Sequence, residues 1–137
     1  MSGGMKGAPP LISEVSKPWW DALRRRSVAL QACLRCSQWI FYPRVLCPHC
    51  GGRDLEWREV DGTASLYTFS VAEAPVSQHF AHLERPILAI AELAPHVRVP
   101  TTLVDVEPEA VRIGMALAPV FDDETYEGVT LLRYRPV

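Results

Sequence analysis

Cys33-Leu34-Arg35-Cys36, ten intervening residues, then Cys47-Pro48-His49-Cys50-Gly51 is the stretch that decides how the chain folds. Each pair is spaced C-x-x-C, so both sulfurs of a pair can point to one side of a tight turn. Two such turns supply the four donors of tetrahedral zinc. Gly51 suits such a turn, because the residue that follows often needs a positive φ. Two disulfides, reduced buried thiols and a redox C-x-x-C are the alternatives. Disulfide scaffolds usually spread their cysteines along the chain, whereas these four fall within 18 residues. A redox motif needs only one pair, in a thioredoxin-like context. The spacing therefore predicts a structural zinc ion (Zn2+) on Cys33, Cys36, Cys47 and Cys50. The shell is closed, with no open position for water or substrate and no need of His49. A metal also stabilises a ribbon of roughly 30 residues that has too small a core of its own.

The domain boundaries follow outward from the cysteines. Residues 1–15 read as a flexible leader, the first twelve being Gly/Pro-rich and aperiodic. Residues 16–27 read as an N-terminal helix, with Ser16 as its cap and Pro18 tolerated in the first turn. Trp19, Trp20 and Leu23 make its apolar stripe, opposite Asp21 and the three arginines 24–26. Residues 28–59 form the ribbon of short strands and turns. Asp61-Gly62 is a turn signal, and residues 60–137 carry strand patterns over 64–72, 86–93, 99–106, 115–121 and 129–134. Tyr67, Phe69 and Val71 fall on one face of the first of these. Residues 108–111 read as a helical turn ended by Gly114, and Pro119 marks an edge or a bulge. Five short antiparallel strands must hide their edges, which a small closed barrel does. The connection 73–85 is the least patterned stretch, a long loop.

Composition narrows the function. At 137 residues, 48% hydrophobic and 22% charged, the chain reads as a small globular protein. A net charge of −2 gives no broad attraction to nucleic acid or to an anionic membrane. No apolar run reaches the roughly 18 residues of a membrane span, and the first ten residues lack a signal-type apolar stretch; a cytoplasmic location is the expectation. His79 and His82 have H-x-x-H spacing but no third ligand, and are expected at the surface. Asp105, Glu107 and Glu109 surround a strand end and a turn in an ordinary way. No nucleophile–base motif is present, so no catalytic residue is assigned.

The ordered set Pro18-Trp19-Trp20-Asp21-Ala22-Leu23, Leu30-Gln31-Ala32-Cys33, Phe41-Tyr42-Pro43-Arg44, Cys47-Pro48 before Cys50-Gly51, and Leu55-Glu56-Trp57 before Val60 and Gly62 resembles a known family. Val111-Arg112-Ile113-Gly114-Met115 and the closing Tyr134-Arg135-Pro136 extend the match, which covers roughly residues 16–137. The family is that of the zinc-ribbon/OB-fold proteins catalogued as domain of unknown function 35 and described as acyl-CoA-associated. The resemblance implies a mostly β fold: an N-terminal helix, a rubredoxin-like zinc ribbon, then a five-stranded OB-fold barrel. It also implies a non-catalytic acyl-CoA-binding scaffold subunit. Such a subunit accompanies a thiolase-like partner (thiolase, acyltransferase, aldolase or hydratase), with a coenzyme A thioester as ligand. Two departures matter. Ser37 stands where the family commonly has Gly, which implies a looser first knuckle, and residues 94–100 replace an acidic-Gly turn.

Within this reading Arg44, fixed between the knuckles in the matched motif, is a candidate acyl-CoA or partner contact, set against a structural or surface role. Arginines 24–26 are a weaker candidate of the same kind, set against a solvated helix end. Trp39, Phe41 and Tyr42 are a candidate wall for the pantetheine arm, set against packing between ribbon and barrel. Trp19 and Trp20 are candidate partner anchors, set against docking on their own chain. Tyr67 and Phe69 are expected to flank a groove facing the ribbon. Two other functions compete. One is a single-stranded nucleic-acid module, hinted at by Arg133 and Arg135 flanking Tyr134, against which the charge balance argues. The other is an acyltransferase in its own right.

Overall fold

The structure, a computed structural model, describes residues 8–73, 85–93 and 96–137. A helix α1 (Lys17–Arg24) leads into strands β1 (Val28–Cys33), β2 (Trp39–Ile40) and β3 (Leu55–Val60), which form a sheet in the order β2-β1-β3. Strands β4 (Ala64–Val71), β5 (Ile87–Leu93), β6 (Val97–Leu103), β7 (Ala116–Tyr126) and β8 (Val129–Pro136) follow, with a 3-10 turn at Pro108–Ala110. They close into a barrel in the order β4-β5-β6-β8-β7, antiparallel except for the β6–β8 contact. This is the five-stranded OB topology. The expected mostly β architecture is present, with its helix, ribbon and barrel. None of the helices among the described residues is long and apolar enough to cross a membrane.

Burial explains the order of the elements. Every residue of β1 is buried, because β1 lies between β2 and β3 with α1 packed on it. Trp19 and Leu23 of α1 and Val28 and Leu30 of β1 join Leu66, Leu93, Leu117 and Tyr134 of the barrel in one apolar core. Helix, ribbon base and barrel thus share a single interior. Burying side chains of this size contributes about 1.5–3 kcal/mol each. The ribbon tip has only a small separate cluster, Cys33, Ile40 and Cys47 with Cys36 and Leu55 against it.

The ribbon-to-barrel junction depends on Gly62. Its φ of +80° disfavours other residues, and a Cβ there would lie 3.1 Å from Val28 Cγ2 and 3.3 Å from Pro119 Cγ. Tyr134, fully buried, donates from Oη to the Gly62 carbonyl at 2.7 Å, and burial holds its phenol above the usual range. Arg26 latches the end of the helix to the barrel by a bidentate bond to Asp123, with its guanidinium over the Phe121 ring at 5.9 Å. The barrel seam is narrow: β6 and β8 pair only at Leu103 and Tyr134. Arg133 braces it, donating from Nε to Asp122 at 2.8 Å and from its other nitrogens to Thr102 and Thr125. Burial alone would raise Asp122, but hydrogen bonds from Thr125, Arg133 and the Glu124 amide outweigh it and hold the carboxyl at about 2.

Several local expectations are corrected. The helix stops at Arg24, and Arg25 caps it. Ser16 holds the N-cap position but makes no side-chain cap bond; its hydroxyl is turned to Ser13 and is fully buried. β4 does not keep Tyr67 in phase with Phe69: Leu66 pairs with Ala91 and Thr68 with Ile90, so Tyr67 is an extra, bulged residue. β6 spans 97–103 rather than 99–106, and β7 continues to Tyr126. Pro119 falls beyond Leu117, where the β4 ladder has ended and only β8 pairs with β7, so its missing N–H is tolerated. Residues 74–84, with His79 and His82, lie outside the described residues. Glu109 and Glu73 both pair with Arg85, an ordinary surface arrangement.

Because Tyr134→Phe would orphan the buried Gly62 carbonyl, we expect it to lower unfolding stability by about 1–2 kcal/mol. Urea titration of the zinc-loaded protein measures this; an unchanged midpoint would remove the bond from the account.

Candidate metal centre and ligand surfaces

The two knuckles are built alike. The Ser37 N–H donates to the Cys33 carbonyl at 2.9 Å, and the Gly51 N–H to the Cys47 carbonyl at 2.8 Å. Each residue after a C-x-x-C pair adopts positive φ, +65° at Ser37 and +77° at Gly51. The first knuckle is therefore no looser than the second, against the expectation from the family pattern; a serine occupies the left-handed conformation instead. Amide N–H groups of Cys36, His49 and Gly52 point at the sulfurs of Cys33, Cys47 and Cys50 at 3.3–3.5 Å.

These turns bring four thiols together. Cys33 Sγ lies 3.7 Å from Cys50 Sγ, Cys36 Sγ lies 3.6 Å from Cys47 Sγ, and all four sulfurs are within 4.8 Å of one another. Zinc–sulfur bonds of about 2.3 Å in a tetrahedron set the sulfurs ~3.8 Å apart, whereas a disulfide needs about 2.05 Å. The donor set fits zinc. Electrostatics agree. The Cys36 amide leads in lowering the Cys33 thiol, to about 7. At Cys36 the Gln38 amide favours ionisation, but burial and the sulfurs of Cys47, Cys33 and Cys50 push it up to about 12. Four adjacent thiolates need a bound cation, and binding one releases protons.

Gln31 supplies what the sequence reading missed. It is buried inside β1, and its side-chain amide meets the Arg44 backbone twice: Nε2 donates to the Arg44 carbonyl at 2.8 Å, and the Arg44 N–H donates to Oε1 at 2.7 Å. The loop carrying Arg44 is thereby pinned while its side chain stays exposed. A lone glutamine in an otherwise apolar strand was the available signal.

The aromatic candidates divide. Trp19 is buried and stacks edge-on against Phe41, with centroids 4.9 Å apart; it is a core residue and offers no free surface. Trp20, Trp39 and Phe41 are half-buried against the same core, and Arg58 lies over Trp39. Tyr42 is exposed, on a depression of about 670 Å³ lined by residues 42–48 and Gly51. Arg25 and Arg26 are paired with Glu59 and Asp123, leaving Arg24 free of ion pairs among the described residues. Arg133 is committed to Asp122 and Tyr134 is buried, which removes the nucleic-acid hint.

Phe69 lines a separate groove of about 530 Å³ on the outside of the barrel, with Leu88, Ile90, Pro100, Thr101 and Leu132. Its walls are all barrel residues, and Tyr67 is not among them; Tyr67 instead lies under the Arg98 guanidinium at 3.7 Å. The expected single cleft shared by Tyr67, Phe69 and the ribbon is thus two surfaces. The groove was legible in residues 87–91, which do not alternate in polarity as a half-exposed strand should.

A helix, a four-thiol ribbon and an OB barrel around one core define a zinc-ribbon/OB protein. Residues 20–56 match the family described as the ChsH2 rubredoxin-like zinc ribbon domain, and residues 57–122 the ChsH2 C-terminal OB-fold domain. The chain is 31% identical over 109 residues to a DUF35 domain-containing scaffold protein of Methanocaldococcus jannaschii, covering 78% of this chain and 76% of that one. It belongs to the DUF35 family. It is also 34% identical over 130 residues to a probable enoyl-CoA hydratase alpha subunit of Thermomonospora curvata, covering 93% of this chain but only 39% of that relative's length. Among solved structures it resembles a chain of an Ltp2-ChsH2(DUF35) aldolase, with TM-score 0.81 and 30% identity over 93% of this chain and 98% of that one.

We expect one zinc per chain by elemental analysis. Chelation should expose the amides of residues 33–54 to hydrogen exchange while the barrel stays protected, since the tip alone lacks a core; simultaneous exposure of both would contradict this. Replacing the strained Ser37 by Gly should stabilise the zinc-loaded protein by about 1 kcal/mol, the left-handed penalty less the entropy of glycine. A destabilised Ser37→Gly in thermal melts would show that its side chain matters more than its φ.

Proposed function

We propose that this chain is a non-catalytic scaffold subunit that binds an acyl-CoA and delivers it to a thiolase-like partner enzyme. Zinc on Cys33, Cys36, Cys47 and Cys50 is structural in this reading, and the catalytic residues belong to the partner. The observation that carries it is the likeness, over nearly the whole of both chains, to the DUF35 chain of a solved aldolase complex. Two surface features support it. The outer groove of the barrel and the ribbon depression expose apolar side chains, including Val45 at 59% and Leu46 at 42%, as a protein with a partner would. Arg44, on its pinned loop, is the cation best placed for coenzyme A or for the partner's rim.

Co-expression with a thiolase-like enzyme from the same genome tests this. The two should coelute at fixed stoichiometry, and acyl-CoA turnover should require both. Turnover by the isolated chain would favour an acyltransferase instead. A chain that neither coelutes with nor alters the enzyme would overturn the scaffold reading.

A further inference from the structure

We propose that the outer groove across β4, β5 and β6 is the seat of the acyl chain of that thioester; the inference rests on the acyl-CoA reading above. The strand registers define the floor. Thr68 pairs with Ile90 and Ile90 with Pro100, while Ser70 pairs with Leu88 and Leu88 with Thr102. Two parallel rows therefore cross three strands on the outward face, each with an aliphatic residue at its centre and a hydroxyl at its β4 end. Neighbouring strands lie about 4.8 Å apart, so each row runs about 10 Å. Leu132 and Arg133 wall the groove along the seam where β6 and β8 barely pair. The volume, about 530 Å³, falls in the range of small-molecule sites.

The chemistry of the lining selects the occupant. Arg133 is neutralised by Asp122, and the nearby Arg98 is spent on Tyr67 and Glu92. The lining residues thus offer no free cation to a phosphate, and the nucleotide end of coenzyme A is excluded from the groove. A stacking base finds only Phe69, which is packed on the core. A peptide strand added to the open edge of β6 would meet Pro100, which breaks a hydrogen-bonded ladder. An uncharged apolar chain is what remains. Its polar attachment falls to Thr68 and Ser70, whose hydroxyls are exposed on the β4 side.

Titration of the zinc-loaded full chain with cis-parinaric acid tests the proposal. We expect saturable fluorescence enhancement, displaced by decanoyl-CoA and not by free coenzyme A. Leu88→Glu should weaken binding at least tenfold, with Ile113→Glu, exposed and outside the groove lining, within twofold of the parent. Near-UV circular dichroism checks folding, and Ile90→Gln serves as the milder variant should Leu88→Glu misfold. Equal binding by the groove variants, displacement by an oligo-dT, or absence of parinaric binding would overturn the proposal. So would a dimer with the groove buried between two copies. Failure here with an intact partner complex removes the groove and leaves the scaffold reading; loss of the complex with parinaric binding retained does the reverse.

Discussion

Four sulfurs held within a few ångströms are the constraint on which the ribbon depends. Amide N–H groups and turn geometry bring them together and the Cys36 amide favours the Cys33 thiolate, but neighbouring thiolates repel, and the three other sulfurs raise Cys36. A dication turns the repulsion into cohesion. The tip has little else: Ile40 and Leu55 are its apolar neighbours. The ribbon base needs no metal in the same sense, because Val28 and Leu30 are set in the barrel's own core. Stability therefore falls from barrel to tip, with the metal offsetting the deficit at the far end.

The junction between the two lobes follows from that shared core. Val28 approaches Gly62 so closely that a Cβ there would crowd it, and the positive φ disfavours a side chain as well; the turn brings the Gly62 carbonyl onto the Tyr134 hydroxyl. Tyr134 is also the residue through which β8 meets β6. One side chain thus closes the barrel and ties the ribbon to it, and Arg26 adds a second tie from the helix end to β7. The ribbon reaches the barrel through packed side chains as well as through the covalent linker.

The sequence made legible whatever depends on spacing and periodicity. The cysteine pairs, the helix stripe of Trp19 and Leu23, and the existence of five barrel strands were readable because each is a local repeat. What it concealed depends on a partner far along the chain. Nothing near Gln31 says that it will receive the backbone of Arg44, thirteen residues on, and nothing near Arg26 names Asp123. The bulge at Tyr67 left one local trace, the adjacent apolar Leu66 and Tyr67 where the alternation changes phase, but the Tyr67, Phe69 and Val71 spacing alone does not reveal the slip in register. Ser16 misled for the opposite reason: its residue type favours capping, but tertiary burial and Ser13 claimed the hydroxyl. The candidate site was legible at the metal and, on the barrel, only as the unbroken apolar run 87–91; the concavity of the two surfaces arises only when the strands curve.

Charge partitions between the lobes in a way that composition conceals. Three of the five barrel arginines are paired with carboxylates, Arg85 and Arg98 with glutamates and Arg133 with Asp122, while Arg112 and Arg135 bond backbone carbonyls only. On the ribbon, Arg35, Arg44 and Arg53 are exposed and make no side-chain ion pair among the described residues. A net charge of −2 averages over these two states. An arginine already bonded to a carboxylate has its field largely cancelled at ligand distance, whereas an unpaired one acts over about a Debye length, ~8 Å at physiological salt. The ribbon thus holds three exposed arginines without a carboxylate partner and the helix end a fourth, Arg24, whereas the apolar groove lies on the barrel. In the acyl-CoA reading proposed above, the phosphates of the thioester fall to the ribbon arginines and its acyl chain to the barrel groove.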